Sequence, residues 1–201
     1  MGVTLVPTVV KGVNDGDHGA IIKLACELAP AVRGVHFQPV SYFGRYPEKP
    51  ADDNRYTLDD LMADISAQAG IPVTSFMPSR CDHPLCGFHA NYLIGSGGTL
   101  RSLSSISHSS PVRGCECDNR EYVARHWRRA PDEPAPAAVS TDGMDFDTFL
   151  YRLRHESLTL TAMAFQDAMN LNIERMHRCS LHVYDSGKVK PFCAKYLTPM
   201  K

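Results

Sequence analysis

Two kinds of hydrophobic pattern alternate in the first part of the chain. Residues 3–10 form a nearly continuous apolar run rich in valine, which is typical of a strand buried on both faces. Residues 18–28 place apolar side chains along one side of a helix, which is predicted to end at Pro30. Residues 34–40 are predicted to form a second buried strand. A strand, a helix and a strand in such close succession predict two parallel strands joined by a right-handed crossover.

Polar side chains lie where these two predicted strands end. Asn14 and Asp15 follow the first strand, and Gln38 and Ser41 lie at the end of the second. Ligands of parallel sheets bind outside the carboxyl ends of the strands. We therefore expect these four residues to border a ligand site.

The rest of the chain is predicted to mix helices and hairpins. Thr57 is expected to cap a helix that ends before Gly70. The glycines between residues 95 and 98 are expected to form the turn of a hairpin. The downstream pattern predicts a helix at 146–154, a strand at 158–165, a short helix at 170–177 and a hairpin at 182–192.

Together these patterns predict an α/β fold in two parts. Residues 1–75 are expected to form a partial parallel βα layer, and residues 76–201 a cysteine-rich α+β domain. The strand at 3–10 has no predicted strand before it. We therefore also expect an exposed apolar edge near Val6 and Val9.

The overall composition narrows the classes of function. The 201 residues carry a formal net charge of −1, so no global field favours nucleic acid or an anionic membrane. The sequence contains no run of about 18 apolar residues that could span a bilayer. Its first residues lack the basic region and long apolar segment of a secretory signal. The expected compartment is the cytoplasm, where clustered cysteines more often bind metal than form disulfides.

Six of the seven cysteines occur in three pairs in the second part of the chain. The pairs are Cys81 with Cys86, Cys115 with Cys117, and Cys179 with Cys193. Thiolates gathered in this way are soft ligands for iron–sulfur clusters or zinc, and the spacing does not decide between them. A disulfide framework is the third alternative. If metal is bound, we expect at least three of these sulfurs to share one site.

Several segments resemble one family of enzymes. Val6-Pro-Thr-Val-Val-Lys-Gly-Val-Asn-Asp15 and Arg33-Gly-Val-His-Phe-Gln-Pro-Val-Ser41 resemble the late strands of the radical S-adenosylmethionine partial barrel. They are most similar to the branch that includes the pterin methyltransferase and tetraether lipid synthase relatives. Further segments that resemble this branch are Cys81-Asp-His-Pro-Leu-Cys86, Met163-Ala-Phe-Gln-Asp-Ala168, Glu174-Arg-Met-His-Arg-Cys179 and Gly187-Lys-Val-Lys-Pro-Phe-Cys193.

The resemblance implies a reaction and a set of site residues. The family cleaves S-adenosylmethionine reductively to a 5′-deoxyadenosyl radical, which abstracts hydrogen from an unactivated carbon of a small-molecule or lipid substrate and leads to methylation or carbon–carbon coupling. By the resemblance, Asn14, Gln38 and Ser41 face the S-adenosylmethionine or substrate pocket. Gln166 and Asp167 line the substrate side, although Asp167 is equally well explained as a helix cap. The six paired cysteines become candidate ligands of an auxiliary [4Fe-4S] cluster.

One motif of the family is missing. These enzymes hold the cluster that cleaves S-adenosylmethionine with a Cys-x3-Cys-x2-Cys loop, and the 201 residues contain no such triplet. The resemblance therefore implies a C-terminal, auxiliary-cluster part of such an enzyme, inactive without an N-terminal partner chain or a missing gene segment. A non-catalytic zinc-binding module and a metal-free fragment are the alternatives.

Overall fold

A computed structural model describes residues 2–43, 51–79, 82–103 and 146–197, together with residues 121 and 124. The described part of the chain mixes helices with strands, as the α/β prediction requires. The elements are β1 (Val3–Leu5), β2 (Thr8–Val9), α1 (His18–Glu27), β3 (Val32–Pro39), α2 (Leu58–Ala69), β4 (Met77–Pro78), β5 (Gly87–Ile94), β6 (Leu100–Ser102), α3 (Phe146–His155), β7 (Ser157–Met163), α4 (Ile173–His177), β8 (His182–Asp185), β9 (Lys188–Pro191) and α5 (Phe192–Leu197).

Seven of these strands form one mixed sheet with the order β1-β3-β7-β5-β4. Both β1 and β2 pair with β3, and β6 pairs with β5. The pairs of β3 with β1, β2 and β7 are parallel, whereas β5 runs antiparallel to β7. The predicted parallel strand–helix–strand unit is therefore confirmed. Among the described strands the sheet is open and does not close into a barrel.

The sheet joins strands from both predicted parts of the chain. β3 belongs to the predicted βα layer and β7 to the predicted cysteine-rich domain, yet they pair over Gly34–Phe37 and Thr159–Ala162. The hairpin of β8 and β9 forms a separate two-stranded sheet. The division near residue 75 stays a prediction, but the described strands on its two sides share a sheet.

Local sequence signals set the ends of α2. The Thr57 side chain accepts a hydrogen bond from the Asp60 backbone N–H at 3.1 Å, and the Asp60 carboxylate accepts one from the Thr57 N–H at 2.9 Å. This reciprocal pair satisfies two of the N–H groups that a helix start leaves open. Gly70 ends the helix in the left-handed conformation, with φ of 66°. The predicted helix is confirmed at both ends.

The core lies between the sheet and the first two helices. Val35 and Phe37 of β3 are completely buried, as are Leu61 and Ile65 of α2. Burying side chains of this size contributes about 1.5–3 kcal/mol each. Successive strand residues point to opposite faces, so the polar residues that alternate with Val35 and Phe37 lie on the other face of the sheet.

The strand predicted at residues 3–10 differs from the structure. It is split into β1 and β2, with Pro7 between them. Val3 is 48% exposed and Val6 is 54% exposed, so burial on both faces is wrong for this segment. No described strand pairs with the outer side of β1, which makes this the edge of the sheet, a position that tolerates Pro because no N–H is needed there. The predicted exposed edge is confirmed at Val6 and wrong at Val9, which is 1% exposed.

The remaining predicted elements are present with shifted ends. The hairpin across the glycines at 95–98 and the hairpin at 182–192 are both antiparallel pairs, as predicted. The short helix predicted from residue 170 begins only at Ile173, because Asn172 caps it by accepting a hydrogen bond from the Arg175 N–H. No helix in the described part of the chain combines the length and the apolar character needed to cross a membrane.

Candidate functional site

A cavity of about 370 Å³ lies at the carboxyl ends of β2 and β3. Gln38 and Ser41, two of the predicted ligand-contacting residues, both line it. The Ser41 hydroxyl donates a hydrogen bond to the Phe165 carbonyl at 2.9 Å, which ties the end of β3 to the segment after β7. We call this space the strand-end cavity. Its lining residues are Thr8, Gln38, Pro39, Val40, Ser41, Phe43, Phe165 and Phe192.

Asn14, the third predicted ligand-contacting residue, does not line the strand-end cavity. Its amide donates to the Thr8 carbonyl at 2.8 Å, and its amide oxygen accepts from the Val10 N–H at 2.8 Å. Asp15 holds the same turn by accepting from the Gly12 N–H at 2.9 Å. In this structure Asn14 and Asp15 fasten the turn that follows β2.

Three of the six paired cysteines come together at a second cavity. Cys86, Cys179 and Cys193 arrive from separate segments and line a space of about 20 Å³, roughly the room one water needs. We call this the sulfur cavity. Its other lining residues are Asp82, Met163, Ala164, Phe165, Gln166, Arg175, Met176, Leu181 and Phe192.

A close approach of β5 to β7 positions Cys86 at the sulfur cavity. Cys86 ends a short 3-10 turn that begins with Pro84, and its carbonyl accepts a hydrogen bond from the Ala164 N–H at 2.9 Å. At Gly87 an added Cβ would lie 2.1 Å from the Ala162 carbonyl oxygen. Only glycine therefore allows this backbone contact, which places the Cys86 sulfur beside the end of β7.

Elements late in the chain position the other two cysteines. Cys179 follows α4, and Cys193 lies in α5 directly after the β8–β9 hairpin. Asp82 anchors the link between α4 and the hairpin by accepting from the Ser180 N–H at 2.8 Å and the Ser180 hydroxyl at 2.7 Å. The hairpin thus carries Cys193 back toward Cys179.

Two N–H groups point at sulfur atoms. Arg175 Nε donates to Cys86 Sγ at 3.3 Å, while its Nη2 donates to the Ala164 carbonyl at 2.6 Å. The Gln166 backbone N–H donates to Cys193 Sγ at 3.3 Å. Burial raises the pKa of the Cys193 thiol; the Gln166 N–H acts in the opposite direction because it stabilises the thiolate.

The remaining cysteines are placed differently. Cys81, Cys115 and Cys117 lie outside the described residues. Cys26 is a partly buried free thiol that packs against the core from α1, where it acts as a small apolar residue. Within the part of the chain that the structure describes, no group of three His, Cys, Asp or Glu side chains has the arrangement that a single metal ion requires.

Asp167 is buried, and its carboxylate holds two segments of the chain together by hydrogen bonds. Its carboxylate accepts two hydrogen bonds from Arg55, at 2.9 and 3.0 Å, and one from the Tyr42 N–H at 3.2 Å. Burial alone would raise its pKa, but these hydrogen bonds and that of the Met169 N–H outweigh burial and hold the pKa below its ordinary value. It occupies an irregular segment and not a helix, so the helix-cap interpretation is wrong. Gln166, by contrast, lines the sulfur cavity.

Sequence reasoning missed a polar row across the second face of the sheet. His36 of β3 and His89 of β5 are both register partners of Thr161 in β7. His36 Nδ1 lies 2.8 Å from Thr161 Oγ1, and burial lowers the pKa of His36. Met163 lies two residues beyond Thr161 on the same face and lines the sulfur cavity, so the row and this part of the cavity share one face of the sheet. The alternation of polar residues within each strand indicates which side chains share a face. It does not show which residues of neighbouring strands lie side by side, because that depends on the strand register.

In open α/β sheets, ligands bind outside the carboxyl ends of the parallel strands, and the strand-end cavity lies at that position. No family model matches the chain. The chain is 26% identical over 239 residues to the 7,8-dihydro-6-hydroxymethylpterin dimethyltransferase of Methanocaldococcus jannaschii, an alignment that covers 95% of this chain and 47% of that protein. The chain thus spans about half the length of the curated relative it matches, and the similarity supports the resemblance to methyltransferases of the radical S-adenosylmethionine family.

Proposed function

We propose that this chain forms part of a radical S-adenosylmethionine methyltransferase and carries an auxiliary iron–sulfur cluster beside the strand-end cavity. The substrate would be a small molecule with an unactivated carbon, for which a pterin like that named for the relative is the first candidate. Segments corresponding to the rest of the relative would supply the cluster that cleaves S-adenosylmethionine. These segments would come either from a partner chain or from a longer form of the same gene.

The convergence of three thiols carries this proposal. Cys86, Cys179 and Cys193 are separated by 93 and 14 positions in the sequence, and they line one cavity. Such convergence is not needed for stable packing, since small apolar residues could take the place of the buried Cys193 and the partly buried Cys86 and Cys179. It supports the prediction that at least three of the paired cysteines share a site.

The donors around the sulfur cavity suit an iron–sulfur cluster. Thiolates are the ligands that such clusters use, and N–H groups that donate to the sulfurs tune their potentials. Cys86, Cys179 and Cys193 would hold the cluster, with Cys81 five residues before Cys86 as a fourth candidate. Arg175 and the Gln166 N–H would stabilise the negative charge of the sulfurs. The bound cluster would supply one-electron chemistry or an open iron site.

Anaerobic reconstitution of the full chain with iron and sulfide tests the proposal. We expect visible absorbance and protein-bound iron in the wild type. Both should fall strongly in Cys86→Ser, Cys179→Ser and Cys193→Ser, whereas Cys26→Ser, whose thiol packs against the core, should keep them. Equal iron content in all four variants, or none in the wild type, would contradict the proposal.

A non-catalytic zinc module is the second candidate. The sulfur cavity, at about 20 Å³, has room for a single ion, although the donors in the described part of the chain would have to move to coordinate one. Zinc also prefers tetrahedral thiolate sites. Zinc recovered with the purified protein in place of iron, and lost in the same three cysteine variants, would favour this candidate.

A further inference from the structure

One peptide group lies between the two cavities. Its carbonyl, that of Phe165, accepts the hydrogen bond from the Ser41 hydroxyl at 2.9 Å. Its N–H, that of Gln166, donates to Cys193 Sγ at 3.3 Å. Ser41 lines the strand-end cavity and Cys193 lines the sulfur cavity. A single planar unit therefore connects a polar group in one cavity to a sulfur atom in the other.

The two ends of this peptide are electronically coupled. Resonance in the amide means that a hydrogen bond accepted by the carbonyl oxygen makes the N–H a stronger donor. Chains of such bonds strengthen one another by about 10–30% per bond. Gln166 is 2% exposed and Cys193 is 7% exposed, so water does not compete freely for either group.

Two aromatic rings reinforce the same connection. Phe165 and Phe192 line both cavities, and their ring centroids are 4.7 Å apart. Phe165 precedes Gln166 in the chain, and Phe192 precedes Cys193. A molecule in the strand-end cavity would touch the rings of the two residues that directly precede the donor residue, Gln166, and the acceptor residue, Cys193.

We propose that Ser41 is a positioning residue that acts on Cys193 through the Phe165–Gln166 peptide. With the Ser41 hydroxyl in place, the peptide is oriented and polarised so that its N–H stabilises negative charge on the sulfur. A ligand that takes over the hydroxyl weakens that stabilisation. The effect on a bound cluster rests on the proposed function, whereas the peptide connection itself does not.

Amide exchange of the metal-free full chain tests the connection directly. We expect the Gln166 amide hydrogen to exchange about two- to fivefold faster in Ser41→Ala, since part of one hydrogen bond is lost. Ser41→Thr, which keeps a hydroxyl, should restore the wild-type rate. Thr8→Val removes a hydroxyl from the same cavity without touching the peptide, and should leave the rate unchanged. An unchanged rate in Ser41→Ala, or equal acceleration in Thr8→Val, would overturn the proposal.

The reconstituted protein gives a second, separate readout. Potentials of iron–sulfur clusters depend on hydrogen bonds to the sulfurs, so Ser41→Ala should lower the reduction potential relative to wild type and to Thr8→Val. An equal potential in all three proteins would mean that the connection does not reach the metal. If no iron is incorporated, the proposed function fails, and the exchange rates still decide whether Ser41 acts on the Gln166 amide.

Discussion

At the scale of single residues, the carboxylate of Asp167 is buried and depends on its charge to hold its hydrogen-bond partners. Its bonds to Arg55 join residues 112 positions apart, and Asp167 itself is 1% exposed. The Arg55 guanidinium also lies 5.4 Å from the centre of the Tyr42 ring. This cluster holds the loop before α2 against the segment that leads from β7 to the sulfur cavity.

Asp167 should therefore contribute stability that disappears in acid. Its pKa in the folded chain is below its ordinary value of 3.8, so the contribution is complete above pH 3.8 and is lost as the pH falls through the lowered folded pKa. We expect Asp167→Asn to cost about 2–3 kcal/mol at neutral pH and to flatten the acid limb of the stability curve. Urea unfolding between pH 2 and pH 7 measures this. Asp59→Asn, at an exposed carboxylate, is the control, and identical curves for both variants would refute the assignment.

How far such residues could be predicted depends on the range of their contacts. The Thr57 cap and the Gly70 end of α2 were predicted because every partner lies within a few residues. The roles of Asp167 and Asn14 were not, because their partners are fixed only when the chain folds. Asn14 shows the difference clearly, since a polar residue at a strand end can contact a ligand or fasten its own turn.

At the scale of elements, the contact between β5 and β7 decides where Cys86 lies. Gly87 faces Met163 in the register, and the Ala162 carbonyl occupies the space that a Cβ would need. Its φ of 177° is an extended conformation open to any residue, so the requirement for glycine comes from the neighbouring strand and not from the backbone angle. The sequence alone does not reveal this requirement, because the strand that causes it lies far away in the chain.

Replacing Gly87 should separate the two strands at this point. We expect Gly87→Ala to destabilise the chain by about 1–3 kcal/mol, because the added methyl group forces backbone apart. The proposed cluster should be lost first, at temperatures where the fold persists. Gly12→Ala, where nothing lies within 4 Å but φ is 73°, separates a local turn effect from this contact. Thermal unfolding and metal analysis of both variants make the comparison, and intact metal retention in Gly87→Ala would contradict the prediction.

The polar row of the sheet shows why element-level prediction stops at register. His36, His89 and Thr161 are each separated from the next in the sequence by more than fifty positions. Within each strand taken alone, the sequence shows only that polar and apolar residues alternate. A shift of one residue in either pairing would move a histidine to the opposite face. The sequence could predict which strands exist, but not that these three side chains share a row across the sheet.

At the scale of the whole molecule, the exposed edge at β1 should promote association. Val3 in β1 and Val6 just after it are about half exposed, and no described strand covers the outer side of β1. Unpaired strand edges with apolar side chains invite pairing with another chain. We expect the isolated chain to self-associate with rising concentration and Val6→Lys to reduce this. Val13→Lys, at an exposed apolar residue outside the strands, should have no effect. Light scattering after size exclusion measures it, and a monomeric wild type at high concentration would refute the prediction.

The last prediction concerns catalysis by these 201 residues alone. Given reductant and S-adenosylmethionine, we expect no 5′-deoxyadenosine above background, because the sequence lacks the Cys-x3-Cys-x2-Cys loop. The thiols that do converge lie beyond the Phe165 and Phe192 rings from the strand-end cavity, and so a cluster held there is separated from a ligand at the strand ends. Adding a chain that supplies the missing triplet should restore cleavage if the two parts assemble. Production of 5′-deoxyadenosine by the isolated chain, abolished in Cys86→Ala and retained in Cys26→Ala, would show instead that the sulfur cavity itself holds the cluster that cleaves S-adenosylmethionine.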